Sequence, residues 1–168
     1  AWNLEKFSIY DDPYDVSQNT ISRSIGTPSE DVNWRASAYY GLSQDFVVMY
    51  RTSGFGPSNQ EAIRLTTIDP NDYSRSTINV FTTNYSIGRC DLAVGGNKEA
   101  IVVWQQSFVG GQRLLVAQLL KDGVKQGSQI IIDTDIEESF PVSVAMEDNG
   151  DFVILYKKTT ENDYSIVQ

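Results

Sequence analysis

Hydrophobic positions fall in short runs broken by polar stretches rich in Gly, Asn, Asp and Ser, and one run is written three times. It reads DFVVMY at 45–50, EAIVVW at 99–104 and DFVILY at 151–156. Each copy is dense in β-branched and aromatic residues and too short for a helix, the pattern of an interior strand. Aligned on their final aromatics, Tyr50, Trp104 and Tyr156, the copies recur about every fifty residues, a period that marks tandem repeats.

The flanks repeat as well. Upstream lie a small-residue strand and a tight turn, RASAYYGLSQ at 35–44, CDLAVGGNK at 90–98 and VSVAMEDNG at 142–150, which bring Ala38, Ala93 and Ala145 into register. Downstream come a polar loop and an apolar strand, AIRLTTI at 62–68 or LLVAQLL at 114–120. A turn, DPNDYS or KDGVKQGS, then leads to TINVFT at 77–82 or QIIIDT at 129–134. The segment LLVAQLL has the composition of a helix, but its β-branched counterpart AIRLTTI ends at a proline, so the repeat assigns both to strands.

The predicted fold is therefore all-β, built of four-stranded antiparallel meanders of the kind that form β-propeller blades. The single repeat domain divides into a partial blade at 1–34, blades at 35–89 and 90–141, and a partial blade at 142–168. At the N-terminus, FSIYDDPYDVSQNTISRSI at 7–25 resembles LTTIDPNDYSRSTINVFTT at 65–83, the third and fourth strands of a unit. About three blade equivalents result, whereas propellers close with roughly four to eight. The expected solutions are a homo-oligomer in which each N-terminal part-blade completes a partner's C-terminal one, a longer repeat array, or an open stack of small sheets. Edge strands near 4–10 and 163–168 invite such pairing.

The motifs SVAMEDNGDFVILY at 143–156 and AIVVWQQSFVGGQRLLVAQLLKDGVKQG at 100–127 resemble the fifty-residue propeller-type repeats of large bacterial secreted and surface proteins. The resemblance covers 35–168 well and the N-terminal part more weakly. The copy at 35–82 departs from it, with YYGLSQ at the turn and Tyr50 where the pattern has Trp. It implies a secreted or cell-surface location and an adhesion, display or scaffold role, with no catalytic motif to carry over.

Composition narrows the chemistry. Lys and Arg total 13 against 22 Asp and Glu, giving a net charge of −9. Such a chain lacks the clustered cations that phosphate-backbone binding needs, so no nucleic-acid partner is expected. There is no long apolar run of transmembrane type, and 1–30 lacks the features of a signal peptide, so an exported protein would be represented by its mature form or a piece of it. With no His, neither Ser-His-Asp nor Cys-His catalysis is available, and the lone Cys90 reads as a small hydrophobe without a disulfide partner. Acidic groups at Asp11, Asp12 and Asp15, at Asp69 and Asp72, at Glu137 and Glu138, and at Glu147, Asp148 and Asp151 have oxygen ligands for Ca²⁺, yet match turn chemistry better than an EF-hand loop. No cofactor is expected.

The predicted function is non-enzymatic: self-association or adhesion through propeller-like blades. The alternatives are a carbohydrate-binding lectin and, after it, a glycosidase-like hydrolase using paired carboxylates. The lectin reading rests on a rim of loops that places Arg51, Gln105 and Lys157 just after the repeated strand, with Phe55 and Phe108 in Gly-flanked loops and Tyr40 as a further contact. Aromatic platforms with a few convergent donors are what a sugar site needs.

Overall fold

A computed structural model of the chain describes residues 31–39, 45–55, 60–108, 110, 112–134, 136, 140–158 and 164–167. The chain divides after Glu30, and everything described belongs to the second unit. The predicted part-blade at 1–34 therefore lies, up to Glu30, outside the described residues.

The described residues are all-β, in three antiparallel meanders. The first sheet runs β1 (Asp31–Tyr39), β2 (Phe46–Phe55), β3 (Gln60–Ile68) and β4 (Arg75–Thr83), in spatial order of sequence. The second is β5 (Ile87–Val94), β6 (Glu99–Ser107), β7 (Arg113–Lys121) and β8 (Val124–Asp133), in the same order. The third holds β9 (Ser143–Met146), β10 (Phe152–Lys157) and β11 (Tyr164–Val167), with β10 in the middle. The three copies of the repeated run are thus β2, β6 and β10. Ala38, Ala93 and Ala145 pair with Val47, Ile101 and Val153 in their respective sheets, the register their spacing predicts.

Period-2 alternation sends neighbouring residues to opposite faces, and both faces of β6 in the middle sheet are covered. Ala100, Val102 and Trp104 of β6 join Val47, Met49, Ile63 and Leu65 of the first sheet in one core. Ile101 and Val103, on the other face, join Val142, Ile154 and Tyr156 of the third sheet in a second core. A strand buried twice has no room for a polar face, which is why EAIVVW carries no alternation. The sheets approach through their first strands, β1 against β5 and β5 against β9, while β4 and β8 show no comparable approach. A long side chain spans that outer gap, where Lys125 Nζ donates to the Val80 carbonyl at 3.3 Å.

Tight turns link the sheets at one end. Gly95 and Gly96 sit where an added Cβ would lie 2.4 Å from the Glu147 carbonyl oxygen and 2.5 Å from that of Asp148. Glycine is required there because the next sheet's turn stacks on its backbone. Lys98, in the same turn, pairs with Asp45 of the first sheet at 2.9 Å, and that carboxylate holds its ammonium above the usual lysine range.

One boundary differs from expectation. The fourth strand of the second sheet begins at Val124 and not near 129, because Asp122 and Gly123, at φ 51° and 72°, make a two-residue turn that starts the hairpin at once. Gly127, at φ 62°, then absorbs a register shift inside β8 and is not part of a turn.

Candidate functional site

The ends of the repeated strands couple the sheets. In β6 and β10 the terminal aromatic faces the preceding sheet, and in β2 and β6 the polar residue directly after it faces the following one. Trp104 is fully buried and stacks on Phe81 of β4, with ring centroids 5.0 Å apart. Tyr156, in the equivalent place, donates its phenolic hydrogen to Asp133 at the end of β8 at 2.7 Å. Lys158 reaches the same carboxylate at 3.3 Å.

In the forward direction, Arg51 Nη1 donates to the carbonyl of Ile87, the first residue of β5. Glu61 on β3 accepts the Ile87 amide at 2.6 Å and lies 3.9 Å from the Arg51 guanidinium. Both backbone groups at the start of the second sheet are therefore held by side chains of the first. Gln105, the counterpart of Arg51, donates through Nε2 to the carbonyl of Phe140, just ahead of β9, at 3.1 Å. Asp91 on β5 adds a bond from the Val144 amide of β9 at 2.9 Å. The same seam is thus built twice, each time with a donor placed immediately after the repeated strand.

The third sheet carries the pattern to a face that no described residue covers. Val153, Leu155 and Lys157 of β10 occupy the places of Ile101, Val103 and Gln105, and Ile166 pairs directly with Leu155. Ile101 and Val103 are fully buried, whereas Leu155 is 39% exposed and Ile166 64% exposed. Lys157 places its ammonium 3.9 Å from the centroid of the Phe140 ring and has no hydrogen-bond acceptor among the described residues. The end of the β9–β10 hairpin borders an open hollow of about 680 Å³, lined by Ala145, Glu147, Asp151 and Val153 among others.

The residues expected to form a sugar-binding rim fare differently. Arg51 and Gln105 lie in the seams, and Gln105 is buried with its amide engaged by Phe140 and, through Oε1, by the Arg89 amide at 3.4 Å. Phe108 is half-buried against Tyr85, with centroids 5.3 Å apart. Phe55 ends β2, paired with Gln60, and Tyr40 lies outside the described residues. Of the three equivalent donors, Lys157 alone reaches no acceptor among the described residues. The seam partners Glu61, Asp91, Asp133 and Phe140 were not legible as such. The one available signal was that a buried tyrosine hydroxyl such as that of Tyr156 must find an acceptor.

Among the described residues no group of three or more metal-ligating side chains comes together, and no helix is long and apolar enough to cross a membrane. Asp69 and Asp72 act as turn residues, accepting the amides of Asn71 at 2.7 Å and Ser74 at 2.8 Å. The backbone bond to Ser74 holds the Asp72 carboxyl below its usual range. Asp151, like them, serves its own turn, accepting from the Asn149 side chain at 2.8 Å.

No protein-family model, curated protein or solved structure matches the chain.

Proposed function

We propose that the chain is a non-catalytic structural module that works by self-association, its sheets serving as propeller-type blades of a secreted or surface assembly. The observation that carries this reading is the forward face of the third sheet. Leu155 and Ile166 are exposed there, whereas their counterparts in the second sheet, Val103 and Ala117, are fully buried. Close first strands with separated outer strands make each sheet a wedge, the shape that stacks around an axis. The outer edge of β11 pairs with no described strand, and the segment 7–25 of another copy has the sequence character of the outer strands such a sheet takes.

Sedimentation velocity over a wide concentration range tests the proposal. The wild-type chain is expected to form a concentration-dependent oligomer. Replacing Leu155 and Ile166 with Glu should leave a folded monomer, because both side chains are already exposed and their loss costs the isolated fold little. A wild-type chain that stays monomeric at the highest attainable concentration overturns the reading.

A further inference from the structure

We propose that Asn149 is a spontaneous deamidation site that the native turn holds inert, and that its reaction, once the turn opens, keeps the third sheet from reseating on the second. The proposal is independent of the self-association reading, because every group it uses lies within one chain.

Asn149–Gly150 is the only Asn-Gly step in the sequence. Glycine has no Cβ to hinder its nitrogen, so at such a step the backbone nitrogen can attack the side-chain amide of the preceding asparagine. The reaction needs water and nothing else. The Gly150 nitrogen bonds to Cγ of Asn149, the Cγ–Nδ2 bond breaks, and Nδ2 leaves as ammonia, taking the proton from Gly150. Water then opens the cyclic imide at either carbonyl, giving an aspartyl residue or an isoaspartyl link that runs the main chain through the former side chain. Asn149 is exposed in the β9–β10 turn, so water has access.

The native turn blocks the first of these steps. The Gly150 N–H donates to the Glu147 carbonyl at 3.0 Å, which keeps the proton on the attacking nitrogen. The carboxamide is held by Asp151 at both ends: Nδ2 donates to Oδ2 at 2.8 Å, and Oδ1 accepts the Asp151 amide at 2.9 Å. The Glu147 amide closes the loop on the Asp151 carbonyl at 2.8 Å. Nucleophile and electrophile are both committed to other partners, so reaction requires a local opening of the hairpin tip.

The product does not fit the place that the amide leaves. An aspartyl carboxylate turns the bond to Asp151 into a contact between like charges, in a turn that already carries Glu147 and Asp148. An isoaspartyl link adds a methylene to the main chain of a turn whose Glu147 and Asp148 carbonyl oxygens lie against Gly95 and Gly96, where even an added Cβ would be 2.4 and 2.5 Å away. Either product loosens the stacked turns at this end of the seam. The Val144 amide of β9, which donates to Asp91 of the second sheet at 2.9 Å, reports that loosening.

The test follows deamidation by peptide mapping, with isoaspartyl methyltransferase labelling of the product, in folded and urea-unfolded chain at one pH and temperature. The unfolded chain should deamidate fastest at Asn149. The folded chain should react there at least about tenfold more slowly, the protection given by a turn open less than about a tenth of the time. Asp151→Ala removes the Oδ2 acceptor and should speed the folded reaction severalfold while leaving the unfolded rate nearly unchanged. Asn149→Asp, which is the aspartyl product, should exchange its Val144 amide hydrogen faster than both wild type and Asn149→Ser, a variant that adds no charge and has no amide to lose. An unfolded chain that deamidates faster elsewhere overturns the site. Equal folded and unfolded rates, or an Asp151→Ala variant that reacts no faster when folded, overturn the protection, and unchanged Val144 exchange in Asn149→Asp overturns the consequence for the third sheet.

Discussion

Trp104 gives the sharpest test of how the first two sheets are joined. Its side chain is fully buried, stacks on Phe81 at 5.0 Å with 29° between the ring planes, and its indole N–H finds no acceptor among the described residues. Truncation to Ala empties the seam and should cost about 3–5 kcal/mol. That is a large share of a domain's total of roughly 5–15 kcal/mol. Replacement by Phe behaves differently. It removes part of the buried area and leaves a small void, worth about 1–2 kcal/mol, but also removes an unpaired buried donor whose desolvation costs about 1–3 kcal/mol. The two nearly cancel, so Trp104→Phe should stay within about 1 kcal/mol of wild type. A double-mutant cycle with Phe81→Leu should give a coupling of about 0.5–1.5 kcal/mol for the ring pair. Urea unfolding followed by far-UV circular dichroism measures these values, at one fixed protein concentration because association would shift the midpoint. A Phe variant as unstable as the Ala variant, or strictly additive effects at the two positions, would refute the account.

Two further outcomes follow from the same geometry. Burial pushes the Cys90 thiol up to about 12, with Arg51 opposing and Asp91 adding to the shift. The unfolded thiol ionises near 9 while the folded one stays protonated, so this stabilisation is complete below pH 9 and is lost as pH rises towards 12, at about 1.4 kcal/mol per unit. Cys90→Ser should flatten the alkaline limb of the urea midpoint, and native protein at pH 8 should react with Ellman's reagent far more slowly than unfolded protein; equal rates would show the thiol is accessible. Gly95→Ala places a methyl 2.4 Å from the Glu147 carbonyl, so the stacked turns must separate at a cost of about 1–3 kcal/mol. An unchanged urea midpoint would mean that the turns do not stack.

Much of the fold could be read in the residues because the repeat supplies three versions of one strand. The β-branched counterpart of LLVAQLL assigned β7 against its own helical composition, and the three alanines fixed the register of the first strand in every sheet. The start of β8 was missed for a local reason. VKQGSQ is polar and contains a glycine, so it reads as a loop, yet β8 is an outermost strand exposed at nearly every position and needs no apolar face. Asp122-Gly123 had already closed the hairpin, and Gly127 serves a bulge.

The seam was harder to read, and its difficulty has a definite physical origin. Placing Arg51, Gln105 and Lys157 on a loop rim assumes that polarity means exposure. On a strand covered on both faces, the residue after a buried aromatic is buried too, against the other neighbour. Gln105 is 4% exposed for that reason, and β6 continues beyond it to Ser107. A polar group so placed must find a partner, and the acceptors lie in the next repeat, 36 residues on for Arg51 and 35 for Gln105. No window short enough to reveal a strand can contain both ends of such a bond. The recurrence of the donor position was visible in the sequence; its meaning depended on seeing that each copy reaches one sheet forward. The third donor, Lys157 on β10, reaches the Phe140 ring and no acceptor among the described residues, so the recurrence of the position does not by itself fix what it bonds.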